Sequence, residues 1–180
     1  MRVQVLLYRQ DDPAKCTATK LVKFGLAESI RSIRLNTLLL NPFCKVVLSN
    51  EDSRIIKSVC ALDCSWEKAM DTLHKGKVLR NGICRRLPAL LAGNPNNYCK
   101  LSKLTTAEAL AASLFILGWK NQSEEILDKF KWGHTFIELN SEILNDYRNA
   151  QNAAEIVELE KEYFPHLTIS RTLSQYIRNS

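Results

Sequence analysis

Apolar and polar positions change their rhythm part-way along the 180-residue chain. In RVQVLLYR (2–9), Val3, Val5 and Leu7 alternate with their neighbours at the period of a strand, and Leu6 interrupts the alternation. Asp11-Asp12-Pro13 ends that segment. IRLNTLLL (33–40), stopped by Asn41-Pro42, and the short run Ser58–Leu62 are further strand candidates. Between them, SNEDSRIIKS (49–58) predicts a short helix with a polar face. Ser65 to His74 puts Trp66, Ala69, Met70 and Leu73 at helical spacing on one face. Val78 to Leu91 is apolar apart from Arg85-Arg86, and Gly93 to Asn97 is a loop of turn formers.

From Thr105 the period is helical. Thr105 and Glu108 fit a capping box, and the helix they open is apolar nearly all round up to Leu117, with Gly118 as its stop. A buried position between other elements follows from that pattern. Ser123 is placed as the cap of a second helix running through Phe130. Asn140 or Ser141 is placed at the start of a third, ending near Ala150. Ala153 to Tyr163 forms a fourth, closed by Pro165. Strands alternating with helices, then helices alone, predict an α/β plus all-α fold class: a parallel-sheet part over residues 1–92 and a helical part over 93–180.

Charge sharpens this division. Residues 1–103 hold 18 lysines and arginines against 8 acidic residues, a balance of +10; residues 104–180 hold 7 against 11, a balance of −4. An ordinary solvated basic face accounts for this, and so does a surface for a polyanion such as RNA. Arg9, Lys15, Lys20, Lys23, Arg31 and Arg34 crowd the first stretch, and Arg85-Arg86 adds a pair suited to phosphate contacts. No signal-peptide pattern is visible, and no stretch reaches the roughly 18 apolar residues of a membrane span, so the expected location is the cytoplasm. The six cysteines include no C-x-x-C, and with three scattered histidines no metal site is expected.

Candidate chemistry centres on ALDCSWEKAM (61–70). Asp63 stands where a strand turns into a helix. It can cap that helix, and it can face a cleft at the carboxyl end of a central parallel strand. Trp66 can be core, or one wall of a pocket for an aliphatic or cationic group. The six glycines contain no G-x-G-x-x-G and the chain has no P-loop, so a nucleotide-like ligand has to be held by irregular loops, with LAGNPNNY (91–98) the first candidate. In FKWGHTFIELN (130–140), Gly133 marks a packing corner between helices, and His134 reads as structural.

KCTATKLVKFGLA (15–27), LNP (40–42), LDCSW (62–66), RRLPALLAGNPNNY (85–98), KLTTAEALAASLFILG (103–118) and FKWGHTFIELN (130–140) together resemble the ribosome-biogenesis family that aminocarboxypropylates small-subunit rRNA, in particular its archaeal members. The likeness spans residues 1 to about 148 in consistent order. It implies a fold like that of the SPOUT methyltransferases, with a deep trefoil knot and S-adenosylmethionine in the cleft between the two parts. It implies transfer of the 3-amino-3-carboxypropyl group to N3 of a uridine (N1-methylpseudouridine in eukaryotes), with 5′-methylthioadenosine as by-product. Small-subunit rRNA in a pre-ribosomal particle is then the partner, with the protein acting as a monomer.

Carried over by position, Thr17 touches the ribose or the methionine chain. Leu62 and Leu87 contribute backbone contacts, and Leu101 to Thr106, including Ser102, complete the pocket. Ser102 stands where the family pattern has an aromatic residue, so a contact there runs through the backbone. Trp66 walls the donor so that its methyl is buried and its γ-carbon presented. Asp63 is either the general base for the N3 proton or the electrostatic partner of the cationic donor. RNA contacts fall on Arg9, Lys15, Lys20, Lys23 and Arg85. The alternatives are a methyltransferase of the same fold and a non-catalytic assembly factor that binds pre-ribosomal RNA.

Overall fold

The structure, a computed structural model, describes residues 1–7, 16–63 and 81–166. The helix expected over 65–74 therefore lies outside the described residues, as do Arg9, Lys15 and Trp66. Five strands form one sheet: β1 (Arg2–Leu7), β2 (Glu28–Ser29), β3 (Thr37–Leu40), β4 (Ser58–Asp63) and β5 (Ile83–Arg85). Their order is β2-β1-β4-β3-β5, and every pairing is parallel.

The register explains why alternation was imperfect in the sequence. Val3 pairs with Val59 and Val5 with Ala61, while Leu38 and Leu40 pair with the same two residues from the other side. These six face the main core. Their neighbours Leu6, Leu39 and Cys60 point the opposite way, into a second, smaller cluster with Ile33. Strands buried on both faces have no polar face to display, so Leu6 breaks no rule. The polar stretch after β3 holds a 3₁₀ turn, Asn50–Arg54, rather than an α-helix, closed by a Ser49–Asp52 capping box.

Five helices are described: α1 (Thr17–Lys23), α2 (Thr106–Ile116), α3 (Lys120–Leu127), α4 (Gly133–Asn149) and α5 (Ala153–Tyr163). The Thr105–Glu108 capping box is present at α2. Gly118, at φ 96°, stops α2, with the Gly118 and Trp119 amides donating to the Phe115 and Leu114 carbonyls. α2 is buried almost all round, packed on β4, α1, α3 and α4. Side chains from the sheet and from the four later helices join in one hydrophobic cluster that runs across the 92/93 division.

Two helix starts differ from expectation. α3 begins at Lys120, not at Ser123, whose hydroxyl is buried and donates to the Ala111 carbonyl of α2 at 2.7 Å. α4 begins at Gly133, seven residues before Asn140. In both cases a residue type suited to capping is used for a tertiary hydrogen bond instead. Gly133 does mark a close corner: a Cβ there would lie 2.0 Å from the Leu127 carbonyl oxygen. α5 spans the expected residues, capped by Asn152, which accepts from the amides of Ala154 and Glu155.

Candidate functional site

Asp63 closes β4, the middle strand of the five, opposite Leu7 of β1. The carboxyl edge of a parallel sheet is where ligands of open α/β folds bind. Asp63 is half-buried there, and its Oδ2 accepts the thiol hydrogen of Cys16 at 3.1 Å. Cys16 is also the N-cap of α1: its sulfur accepts from the amide of Thr19 at 3.2 Å and from the Thr19 hydroxyl at 3.1 Å. Burial raises the pKa of this thiol, the Thr19 bonds oppose the shift and Asp63 adds to it. The sulfur therefore keeps its proton at neutral pH and serves Asp63 as a donor.

The residue after Cys16 reaches the helical part. Thr17 Oγ1 accepts from the amide of Ala107, in the first turn of α2, at 3.3 Å. The starts of α1 and α2 thus meet beside the end of β4, and both present the positive ends of peptide dipoles. Thr17, Asp63 and Thr106, named separately from the sequence, form one continuous locus through Cys16 and Ala107.

Leu87 and Ser102 belong to the segment that leaves β5 and runs to α2. Four side chains of the helical part hold it. Glu160 of α5 takes Arg86 in a bidentate pair, both bonds 2.7 Å, and accepts the Ala89 amide at 2.8 Å. Tyr147 of α4 donates to the Ala89 carbonyl at 3.1 Å. Asn140, also of α4, accepts from the amide of Leu91 and donates to its carbonyl, each at 2.8 Å. Glu108, fully buried in α2, accepts from the Gly93 and Asn94 amides and the Asn94 side chain, and from the amide and hydroxyl of Thr105.

Gly93 fits this packing because a Cβ would fall 2.6 Å from the Phe136 backbone. Further along, Cys99 and Ser102 both adopt φ 57°, and the Ser102 amide donates to the Leu90 carbonyl at 2.8 Å, which folds the loop back on itself. Leu87 is half-buried, and its own amide has no hydrogen-bond partner among the described residues. That leaves a donor for a ligand. Of the four clamps, only the local half of the Glu108 arrangement was visible in the sequence. The Thr105-x-x-Glu108 spacing shows the cap but not Gly93 or Asn94.

The basic residues separate. Lys20 is half-buried and Lys23 exposed in the last turn of α1. Arg85 gives its Nε and one terminal nitrogen to Asp52, with contacts of 2.9 to 3.1 Å, and its other terminal nitrogen to the Cys84 carbonyl. Arg86, read with Arg85 as a phosphate-binding pair, is buried and committed to Glu160, and this corrects that reading. His134 is exposed in the first turn of α4.

Residues 38–164 match the model of a family described as "Ribosome biogenesis protein, C-terminal". The chain belongs to this family. Residues 1–35 match a model described as "Possible Fer4-like domain in RNase L inhibitor, RLI". A ferredoxin-type cluster is held by four cysteines, and this stretch has Cys16 alone, so the match carries no iron–sulfur chemistry. Among relatives in the family, a 16S rRNA aminocarboxypropyltransferase of Methanosarcina acetivorans is 43% identical over 86% of this chain and 89% of its own. One from Saccharolobus islandicus is 44% identical over 90% and 95%. The SAM-dependent rRNA:acp-transferase Tsr3 from Vulcanisaeta distributa superposes with a TM-score of 0.84 at 37% identity, covering 98% of this chain and 96% of that one.

Proposed function

We propose that this family member is an S-adenosylmethionine-dependent rRNA aminocarboxypropyltransferase, transferring the 3-amino-3-carboxypropyl group to N3 of a uridine in small-subunit rRNA. Overall, the N3–H bond and the donor's bond from sulfur to its γ-carbon break, and an N3–carbon bond forms. 5′-Methylthioadenosine leaves, with one proton released. When bound, the donor supplies an electrophilic carbon beside a sulfonium.

The chain's own groups suit that donor. Asp63 brings a carboxylate to a cationic substrate and stands ready to accept the N3 proton. The Leu87 amide offers a donor to the nucleoside, and Thr17 sits where two helix starts favour the carboxylate of the methionine arm. The observation that carries the reading is the meeting of Asp63, Cys16, Thr17 and the start of α2 at the carboxyl edge of the central strand. The curated relatives support the choice of transferred group.

Several finer assignments belong to the same reading. Trp66 walls the donor, and Ser102 contributes backbone. Lys20 and Lys23, with Arg9 and Lys15, meet RNA phosphates, while Arg85 contributes only by sharing its pair with Asp52. The backbone carries the deep trefoil knot that the family resemblance implies. The enzyme works as a monomer in the cytoplasm on the pre-ribosomal particle. Mass spectrometry of small-subunit rRNA from cells lacking the chain tests the function. The aminocarboxypropyl mark disappears and returns with the wild-type chain; an intact mark overturns the proposal.

A further inference from the structure

The carboxyl edge of the sheet carries a feature that the cofactor site does not use. β3 lies between β4, which ends in Asp63, and β5, which leads to Leu87. Asn41-Pro42-Phe43 follows β3 directly, so it leaves the sheet between the two strand ends that form the site. Its loop is tightly held. The Asn41 amide donates to the Arg85 carbonyl at 2.8 Å, the Phe43 amide to the Asn41 side chain at 2.9 Å and the Cys44 amide to the Asn41 carbonyl at 3.1 Å. Farther on, the Cys44 thiol donates to the Cys84 carbonyl at 3.1 Å, and Arg86 and Val46 are joined through the backbone at 3.0 Å. On this fixed turn Phe43 is 47% exposed, flanked by exposed Pro42, Lys45 and Val46.

Phe43 is an exposed ring on a fixed turn that joins neither hydrophobic cluster, and Lys45 follows it two residues along the same turn. Unpaired RNA bases stack on such rings while a neighbouring cation meets the phosphate. We infer that Phe43 is a stacking platform for an unpaired rRNA base next to the acceptor nucleotide, with Lys45 on the adjoining phosphate. This inference rests on the proposed function and adds the means by which the RNA loop is held open over Asp63. A base whose acceptor-side face is covered by Phe43 no longer stacks on the acceptor, which lowers the cost of turning the acceptor into the pocket.

The test uses the full chain and a small-subunit rRNA hairpin carrying 2-aminopurine beside the acceptor. Stacking on Phe43 quenches the aminopurine when wild-type protein binds. Phe43→Ala binds about tenfold more weakly and loses the quenching, in line with the stacking contribution of one base. Its salt dependence and its affinity for S-adenosylmethionine stay unchanged, which also shows that it is folded. Phe43→Tyr restores both signals and Phe43→Leu does not. Wild-type affinity and quenching in Phe43→Ala, or full restoration by leucine, overturns the platform alone. A wild-type chain that binds S-adenosylmethionine but not the hairpin overturns the RNA-modifying reading, and the platform with it.

Discussion

Glu108 and Asp63 are both carboxylates beside helix starts, yet one is enclosed and the other faces the edge of the sheet. Glu108 is fully buried and collects five donors from three residues. Asp63 is half-buried at a strand end, and one of its oxygens takes a thiol hydrogen, a weak donor. Glu160 resembles Glu108, with a bidentate arginine and a backbone amide. A carboxylate saturated with strong donors holds the chain in place. One at the mouth of a central parallel strand stands where ligands of open α/β folds bind. Construction thus falls to the helical part, and the proposed function places the chemistry at the edge of the sheet.

The largest effect should come from breaking the chemical side. Asp63→Ala lowers single-turnover transfer by about 10²- to 10⁴-fold, the usual contribution of a positioned general base, while the thermal midpoint stays close to wild type. Wild-type turnover would remove Asp63 from proton transfer. Breaking the construction side does the opposite. Glu160→Gln strands the buried Arg86 charge and costs about 3–5 kcal/mol of stability in urea unfolding. A loss below about 1 kcal/mol would show that the pair is solvated.

Glu108→Gln sharpens the contrast. The amide keeps one acceptor but turns an NH₂ toward groups that are themselves donors, so the loop over 93–105 loosens. Affinity for S-adenosylmethionine, followed by calorimetry, should fall about tenfold, the equivalent of one unsatisfied buried group. Unchanged affinity would separate this loop from the donor site.

The smallest effect is on pH. Burial pushes the Cys60 thiol up to about 12 from 9.0. A folded pKa above the unfolded one gives stability that is complete below pH about 9 and is lost as pH rises toward about 12. Cys60→Ala should make the alkaline decline in thermal midpoint shallower; an identical decline would place its origin elsewhere.

Local signals were legible in the sequence: the strand period of β1, the capping box at Thr105, the stop at Gly118 and the bounds of α5. Pairings distant in the chain were not. Arg86 looks like a phosphate ligand until Glu160, 74 residues away, is brought against it, and Arg85 until Asp52, 33 residues away, closes on it. Ser123 and Asn140 look like caps because nothing local shows that Ala111 and Leu91 need them. At the site, Asp63 was visible as a residue ending an apolar run, whereas Cys16 as its donor was not, since a cysteine N-cap has no recognisable spacing.

The proposed function requires the residues around Asp63 to present the methionine arm of the donor, not its methyl, to the incoming nitrogen. Chromatography of the products formed from S-adenosylmethionine and unmodified small-subunit rRNA measures this directly. The chain should yield 5′-methylthioadenosine in step with the aminocarboxypropyl mark on the RNA. S-adenosylhomocysteine with a methylated base would contradict it.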